Sequence, residues 1–163
     1  PEMRSTGEVM GRDTNFERAF FKAQLGAGIE LPKKGNVFIS IRDNDKSQKL
    51  IETVKVLTKL GFVIIATKGT AGYLAKNNLQ SIPINKVHEG RPNIVDMMKN
   101  KEIDLVMNTT EGTQAIEDSR SMRAVCLSDR IPYYTTLAAS AAVAIAIQKW
   151  REGEIGVKSL QDY

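Results

Sequence analysis

The stretch FVIIATKGTAGYL, residues 62–74, joins a short apolar run to a helical pattern through Ala-Thr-Lys-Gly-Thr. β-Branched residues are frequent in its first half, and short apolar runs of this kind suit strands covered on both faces. Two hydroxyls, an ammonium and a glycine stand where the strand ends and a helix opens. That combination points to an anion, because helix N-termini present unpaired N–H groups and the positive end of the peptide dipoles. A glycine there lets a ligand approach the backbone closely.

The strand–helix alternation recurs along the chain, with no internal repeat of sequence. NVFISI (36–41) reads as a strand, and residues 46–60 place Leu50, Val54, Leu57 and Leu60 three or four apart on one helical face. Gly61 closes that helix. The strand at 62–67 leads to a short helix over 70–77. SIPIN (81–85) and IDLVMN (103–108) read as the third and fourth strands. Their helices follow over 93–100, with Pro92 at the mouth, and over 119–129. IPYYTT (131–136) is the fifth strand, and residues 137–150 the last helix. Strand–helix pairs with joints of this length predict an α/β fold: a five-stranded parallel sheet in a three-layer α/β/α arrangement.

The 163 residues fit one ordinary domain plus extensions, and 42% hydrophobic with 26% charged residues is neither a disordered nor a membrane composition. The longest apolar stretch, residues 137–147, is too short to span a bilayer and has no basic leader. A single cysteine, Cys126, excludes an internal disulfide and a cysteine metal cluster, and a cytoplasmic setting is expected. The net charge of +4 suits an anionic partner. Lys and Arg are scattered among acids, however, without the aromatic interleaving of a nucleic-acid surface, so neither nucleic acid nor membrane is an expected partner. A small phosphorylated ligand needs only two or three of those charges.

Before Asn36 the composition changes. A helix is expected over 14–25, opened by a capping box of Thr14 and Glu17. Gly26, Gly28, Pro32 and Lys33-Lys34-Gly35 make the joint to the first strand. Residues 1–11 form no complete unit, so the chain is expected to begin mid-structure, although a processed Met-Pro start would look the same. Residues 1–31 are expected to pack less tightly than the rest.

In open parallel sheets ligands bind beyond the carboxyl ends of the strands. There the sequence places Ser40 with Asp43, Asp45 and Lys46, then Thr67, Lys68, Gly69 and Thr70. Asn85 and Lys86 end the third strand, Asn108, Thr109 and Thr110 the fourth, and Thr135 and Thr136 the fifth. Any one of these hydroxyls and amides could simply cap a helix. Lysines and Thr/Gly turns converging on one edge favour a phosphate pocket, with backbone donors acting as a nest. His88 lies in the loop VHEGRPN without a carboxylate or cysteine at ligand spacing and reads as structural. Cys126 reads as core, and Glu89 and Asp118 as solvated or salt-bridged carboxylates. No catalytic residue and no metal site is assigned.

Taken together, FISIRDNDK (38–46), ATKGTA (66–71), NKVHEGRPNIVDMMKN (85–100), VMNTTEG (106–112) and EDSRSMRAVCLSDRIPYYTTLAA (117–139) resemble one family. It is the C-terminal, methylglyoxal-synthase-like domain of carbamoyl phosphate synthetase large subunits. PEMRSTGEVMG (1–11) and AFFKAQLGAG (19–28) resemble the end of the second ATP-grasp unit in the same polypeptides. The resemblance implies that residues 1–31 are the end of that synthetase unit plus a linker. Residues 32–151 would then be the methylglyoxal-synthase-like allosteric domain and residues 152–163 a C-terminal tail.

The implied parent is a glutamine-hydrolysing ligase that uses ATP with Mg or Mn and works with a glutaminase small subunit. It supplies arginine and pyrimidine biosynthesis. This domain would carry no cofactor and no catalysis of its own, and would sense UMP or IMP beside an ornithine site. On matching positions, the resemblance puts Ser40 and Lys46 in the first loop of the effector pocket. It puts Thr67, Gly69 and Thr70 on the phosphate, with Lys86, Asn108, Thr109 and Thr110 completing the site. Thr135 falls on the ornithine side, where Tyr134 stands in place of the Asp expected there.

A methylglyoxal-synthase-type lyase acting on dihydroxyacetone phosphate is the rival. It needs a carboxylate base beside the substrate carbon. Gly90-Arg91 stands where a Gly-Asp is expected, and the next Asp is Asp96, inside a helix. The purine-pathway cyclohydrolase with a related domain is a third reading, against which STGEVMG (5–11) argues.

Overall fold

A computed structural model describes residues 9–153 and 156. The order is α1 (Phe16–Gly26), β1 (Asn36–Ser40), α2 (Gln48–Lys59), β2 (Val63–Thr67), α3 (Lys68–Lys76) and β3 (Ile82–Ile84). Then come α4 (Ile94–Lys99), β4 (Leu105–Asn108), α5 (Thr113–Asp129), β5 (Tyr133–Tyr134) and α6 (Leu137–Arg151). Short 3-10 turns, Asp43–Asp45 and Val87–Glu89, follow β1 and β3. All five strands pair in parallel, in the order β3-β2-β1-β4-β5. The expected three-layer α/β/α architecture is what the chain adopts.

Side chains alternate across the sheet, and that alternation builds two cores. Val37 and Ile39 of β1, Ile64 and Ala66 of β2, and Leu105 and Met107 of β4 join the core shared with α1, α2 and α6. Phe38, Ile65 and Val106 point the other way and meet Ile94, Met98, Met122 and Cys126 of α4 and α5. Both faces are covered, which is why each central strand reads as an unbroken apolar run. The alanine-rich α6 buries Val143, Ala144, Ala146 and Ile147 and packs against both α1 and α2. Among the described residues no helix is long and apolar enough to cross a membrane.

Three helix starts differ from the sequence reading. α1 is capped by Asn15, whose side chain accepts from the Arg18 N–H at 3.0 Å. Thr14 is held instead by Asp13, which accepts from its N–H at 2.7 Å, so the Thr14–Glu17 capping box does not form. α3 begins at Lys68 rather than at residue 70, and α5 at Thr113 rather than at 119. The first turn of α3 is polar, and at the start of α5 Ala115 and Ile116 alone set no apolar period.

The expectation of loose packing before the sheet fails for α1. Phe21 is 1% exposed, and its ring lies 5.1 Å from that of Trp150 on α6. The Tyr134 hydroxyl donates to Gln24 Oε1 at 2.8 Å, tying α1 to the last strand. Val9, Met10, Phe16 and Leu25 stay exposed. Residues 1–8 of the expected synthetase end, and residues 154, 155 and 157–163 of the expected tail, lie outside the described residues.

From β1 the sheet grows one way through β2 and β3 and the other way through β4 and β5. Strand order therefore reverses between β1 and β4, where open α/β sheets leave a crevice beyond the carboxyl ends.

Candidate functional site

A cavity of about 570 Å³ opens in that crevice. Ser40 and Asn108 are register partners on β1 and β4, so both side chains reach it at the same level. Thr67 closes β2, with its hydroxyl 3.4 Å from Ser40 Oγ and 3.3 Å from Thr70 Oγ1. Gly69, in the first turn of α3, stands on the cavity wall. Lys46, Lys86, Thr109 and Thr110 complete a lining that brings together every residue expected of the effector pocket. Thr135 is not among them; it is exposed, past the end of β5.

Several of these polar groups already have partners. Thr70 is 1% exposed, and its Oγ1 accepts from the Ile41 N–H at 3.0 Å, which fastens α3 to the exit of β1. Thr109 Oγ1 accepts from the Arg42 N–H at 3.0 Å, and Asn108 Nδ2 donates to the Tyr133 hydroxyl at 2.7 Å. These side chains hold the rim in shape. The helix start behaves differently. Thr67 occupies the N-cap of α3, but its hydroxyl turns to that of Thr70 and caps no backbone N–H, so among the described residues the first-turn N–H groups have no side-chain acceptor. Gly69 keeps that turn open to a ligand.

The charges gather beside this turn. Lys46 Nζ lies 3.6 Å from the point where a Cβ on Gly69 would stand. It donates to Asp43 Oδ1 at 2.5 Å and holds that carboxyl below the usual carboxylate range, with Lys86 adding to the effect. Arg42 Nε donates to Asp45 Oδ2 at 2.7 Å, which lowers the Asp45 pKa and raises that of Arg42. Asn44 reaches the Glu111 carboxylate at 3.4 Å, linking the 3-10 turn after β1 to the loop after β4. Lys68 does not line the cavity and faces Glu89 at 3.9 Å.

His88 has a carboxylate partner that its spacing in the sequence does not show. Its Nδ1 lies 2.6 Å from Asp118 Oδ2, and both residues line the cavity. Asp118 is 8% exposed and ion-paired, the second of the two settings expected of it. The pair joins a 3-10 turn to α5 across 30 residues, a distance at which spacing carries no signal. Cys126 is 4% exposed in the core, and burial pushes its thiol up to about 12. Among the described residues no group of three or more His, Cys, Asp or Glu could hold a metal ion.

Such a site can grip a compact anion through two ammonium groups and a bare helix start, with a histidine–carboxylate pair in the same cavity. Residues 49–135 match the family model of the MGS-like domain. The chain belongs to the MGS-like domain family. It is 50% identical, over 100% of its length, to the carbamoyl phosphate synthase large chain of Mesorhizobium japonicum, of which it covers 14%. Identity to the large chain of Rhizobium meliloti is 47%, again over 100% of this chain and 14% of that one. With the large chain's C-terminal section from Aquifex aeolicus it is 48%, over 99% of this chain and 31% of that protein. The MGS-like chain thus spans a small fraction of the curated relatives it matches.

Proposed function

We propose that this chain is the effector-binding domain of a carbamoyl phosphate synthetase large chain, and that its ligand is a phosphorylated mononucleotide, UMP or IMP. One observation carries the reading. Lys46, Lys86 and the uncapped start of α3 at Gly69 share one cavity at the strand switch point. A phosphate dianion satisfies all three. The likeness to large chains over the whole length supports the rest of the assignment.

In this proposal residues 1–31 are the end of the second ATP-grasp unit with its linker. The synthetase units of the same polypeptide use ATP with Mg or Mn, beside a glutaminase small subunit in the cytoplasm. Their product feeds arginine and pyrimidine synthesis. Ligand binding draws on the loops after β1, β3 and β4 together, and coupling between such sites is typically about 1–3 kcal/mol. Ornithine is left with Thr135, outside the cavity, while Tyr134 is buried against α1.

Calorimetric titration with UMP, IMP and uridine tests the reading. Lys86→Ala should weaken the mononucleotides about ten- to a hundredfold, since a hydrogen bond to a charged group contributes roughly 1.5–3 kcal/mol. Uridine should bind poorly and ignore the substitution. Uridine binding as tightly as UMP would overturn the phosphate-sensor reading.

The lyase is the second reading, favoured by the His88–Asp118 pair, which puts a buried carboxylate in the cavity. On the leading proposal the chain makes no methylglyoxal from dihydroxyacetone phosphate. Production that disappears in Asp118→Asn would establish the lyase instead.

A further inference from the structure

The Lys46 ammonium already has an anion. Asp43 Oδ1 sits 2.5 Å from it, at the edge of the same cavity that Gly69 and Lys86 line. The two partners differ in setting: the Lys46 side chain is 16% exposed and that of Asp43 is 90% exposed. The cation is therefore fixed in the wall, while its carboxylate partner stands in solvent. Among the described residues, Lys46 is the one hydrogen-bond partner of the Asp43 side chain. Asp43 belongs to a 3-10 turn of three residues, Asp43–Asp45, and the turn's other polar side chains are engaged elsewhere, Asp45 with Arg42 and Asn44 with Glu111.

We propose that Asp43 is a built-in competitor for the anion site, holding the Lys46 ammonium until an anionic ligand displaces it. The inference rests on the phosphate-site reading above and adds a residue that sets affinity and charge selectivity. A phosphate that reaches Lys46 must take over the bond Asp43 makes or share the ammonium with it. Sharing brings carboxylate and phosphate into repulsion, and the repulsion grows with ligand charge. Asp43 consequently lowers the affinity of a dianion more than that of a monoanion, and leaves a neutral ligand untouched. The penalty stays modest, because an exposed ion pair is weak and screened.

The test is calorimetric titration of the full chain and its Asp43→Asn and Asp43→Ser variants with three ligands: UMP, uridine 2′,3′-cyclic phosphate and uridine. Both substitutions fall on an exposed side chain and leave the core alone. UMP should bind about two- to fivefold tighter to either variant, the range an exposed pair supports. The cyclic monoanion should gain less and uridine nothing. In a Lys46→Met background, removing Asp43 should leave at most a small gain for UMP. Unchanged or weaker UMP binding in both Asp43 variants would overturn the proposal, the latter showing that Asp43 orients Lys46 for the ligand. Equal gains for UMP and uridine would overturn it as well. If UMP binds neither the wild type nor any variant, the site reading fails along with it; wild-type binding without a change in the variants sinks the Asp43 proposal alone.

Discussion

Replacing Gly69 by Ala should make the protein more stable and a worse receptor at once. Gly69 lies in the first turn of α3 and is not among the glycines with positive φ, so its backbone suits an L side chain. The nearest atom to an added Cβ is Lys46 Nζ at 3.6 Å, an ordinary contact. Alanine in place of a helical glycine stabilises by about 0.5–1 kcal/mol. For a chain of this size that raises Tm by about 1–4 °C. The same methyl group would stand on the cavity wall beside Lys46, where the phosphate must approach the first-turn N–H groups. Losing one charge-assisted hydrogen bond, worth roughly 1.5–3 kcal/mol, weakens UMP by about tenfold or more. Thermal melting by circular dichroism and calorimetry with UMP read the two effects separately. A higher Tm with unchanged UMP affinity would refute a phosphate at the start of α3, and a lower Tm would refute the packing argument.

Other consequences follow from the same contacts. Phe21→Ala should cost about 3–5 kcal/mol, read by urea unfolding, because the ring is buried against α6; a loss below about 1 kcal/mol would show that α1 is not part of the fold. Tyr134→Phe should cost about 1 kcal/mol by removing the bond to Gln24, with the sheet intact by circular dichroism. Asp45, held low mainly by Arg42, adds stability that is complete above the ordinary carboxylate range and is lost as pH falls through its depressed folded value. Asp45→Asn should therefore remove part of the acid-side decline between pH ~5 and ~2, and an unchanged acid profile would contradict the pairing.

Strands and sheet were legible because burial on both faces writes an apolar run for each strand, and because polar residues close each run at one edge. Ser40, Thr67 and Asn108 could be assigned to one cavity from that pattern alone. Their individual partners could not. Thr14 and Asn15 are adjacent residues of capping type, and the hold of Asp13 on Thr14 decides between them. Lys68 looks equal to Lys46 in sequence, yet the turn of α3 carries it outside the cavity, toward Glu89. His88 with Asp118, and Tyr134 with Gln24, are 30 and 110 residues apart and meet only once helices dock on the sheet. Local period and spacing say nothing about such pairs.

Amide chemical-shift mapping of the chain during UMP titration tests the central claim most directly. The account predicts the largest shifts at Gly69 and Thr70, with further changes at Lys86 and Thr110, and none of that size with uridine. Shifts centred instead on the opposite end of the sheet, around Asp104 and Arg130, or equal responses to UMP and uridine, would contradict it.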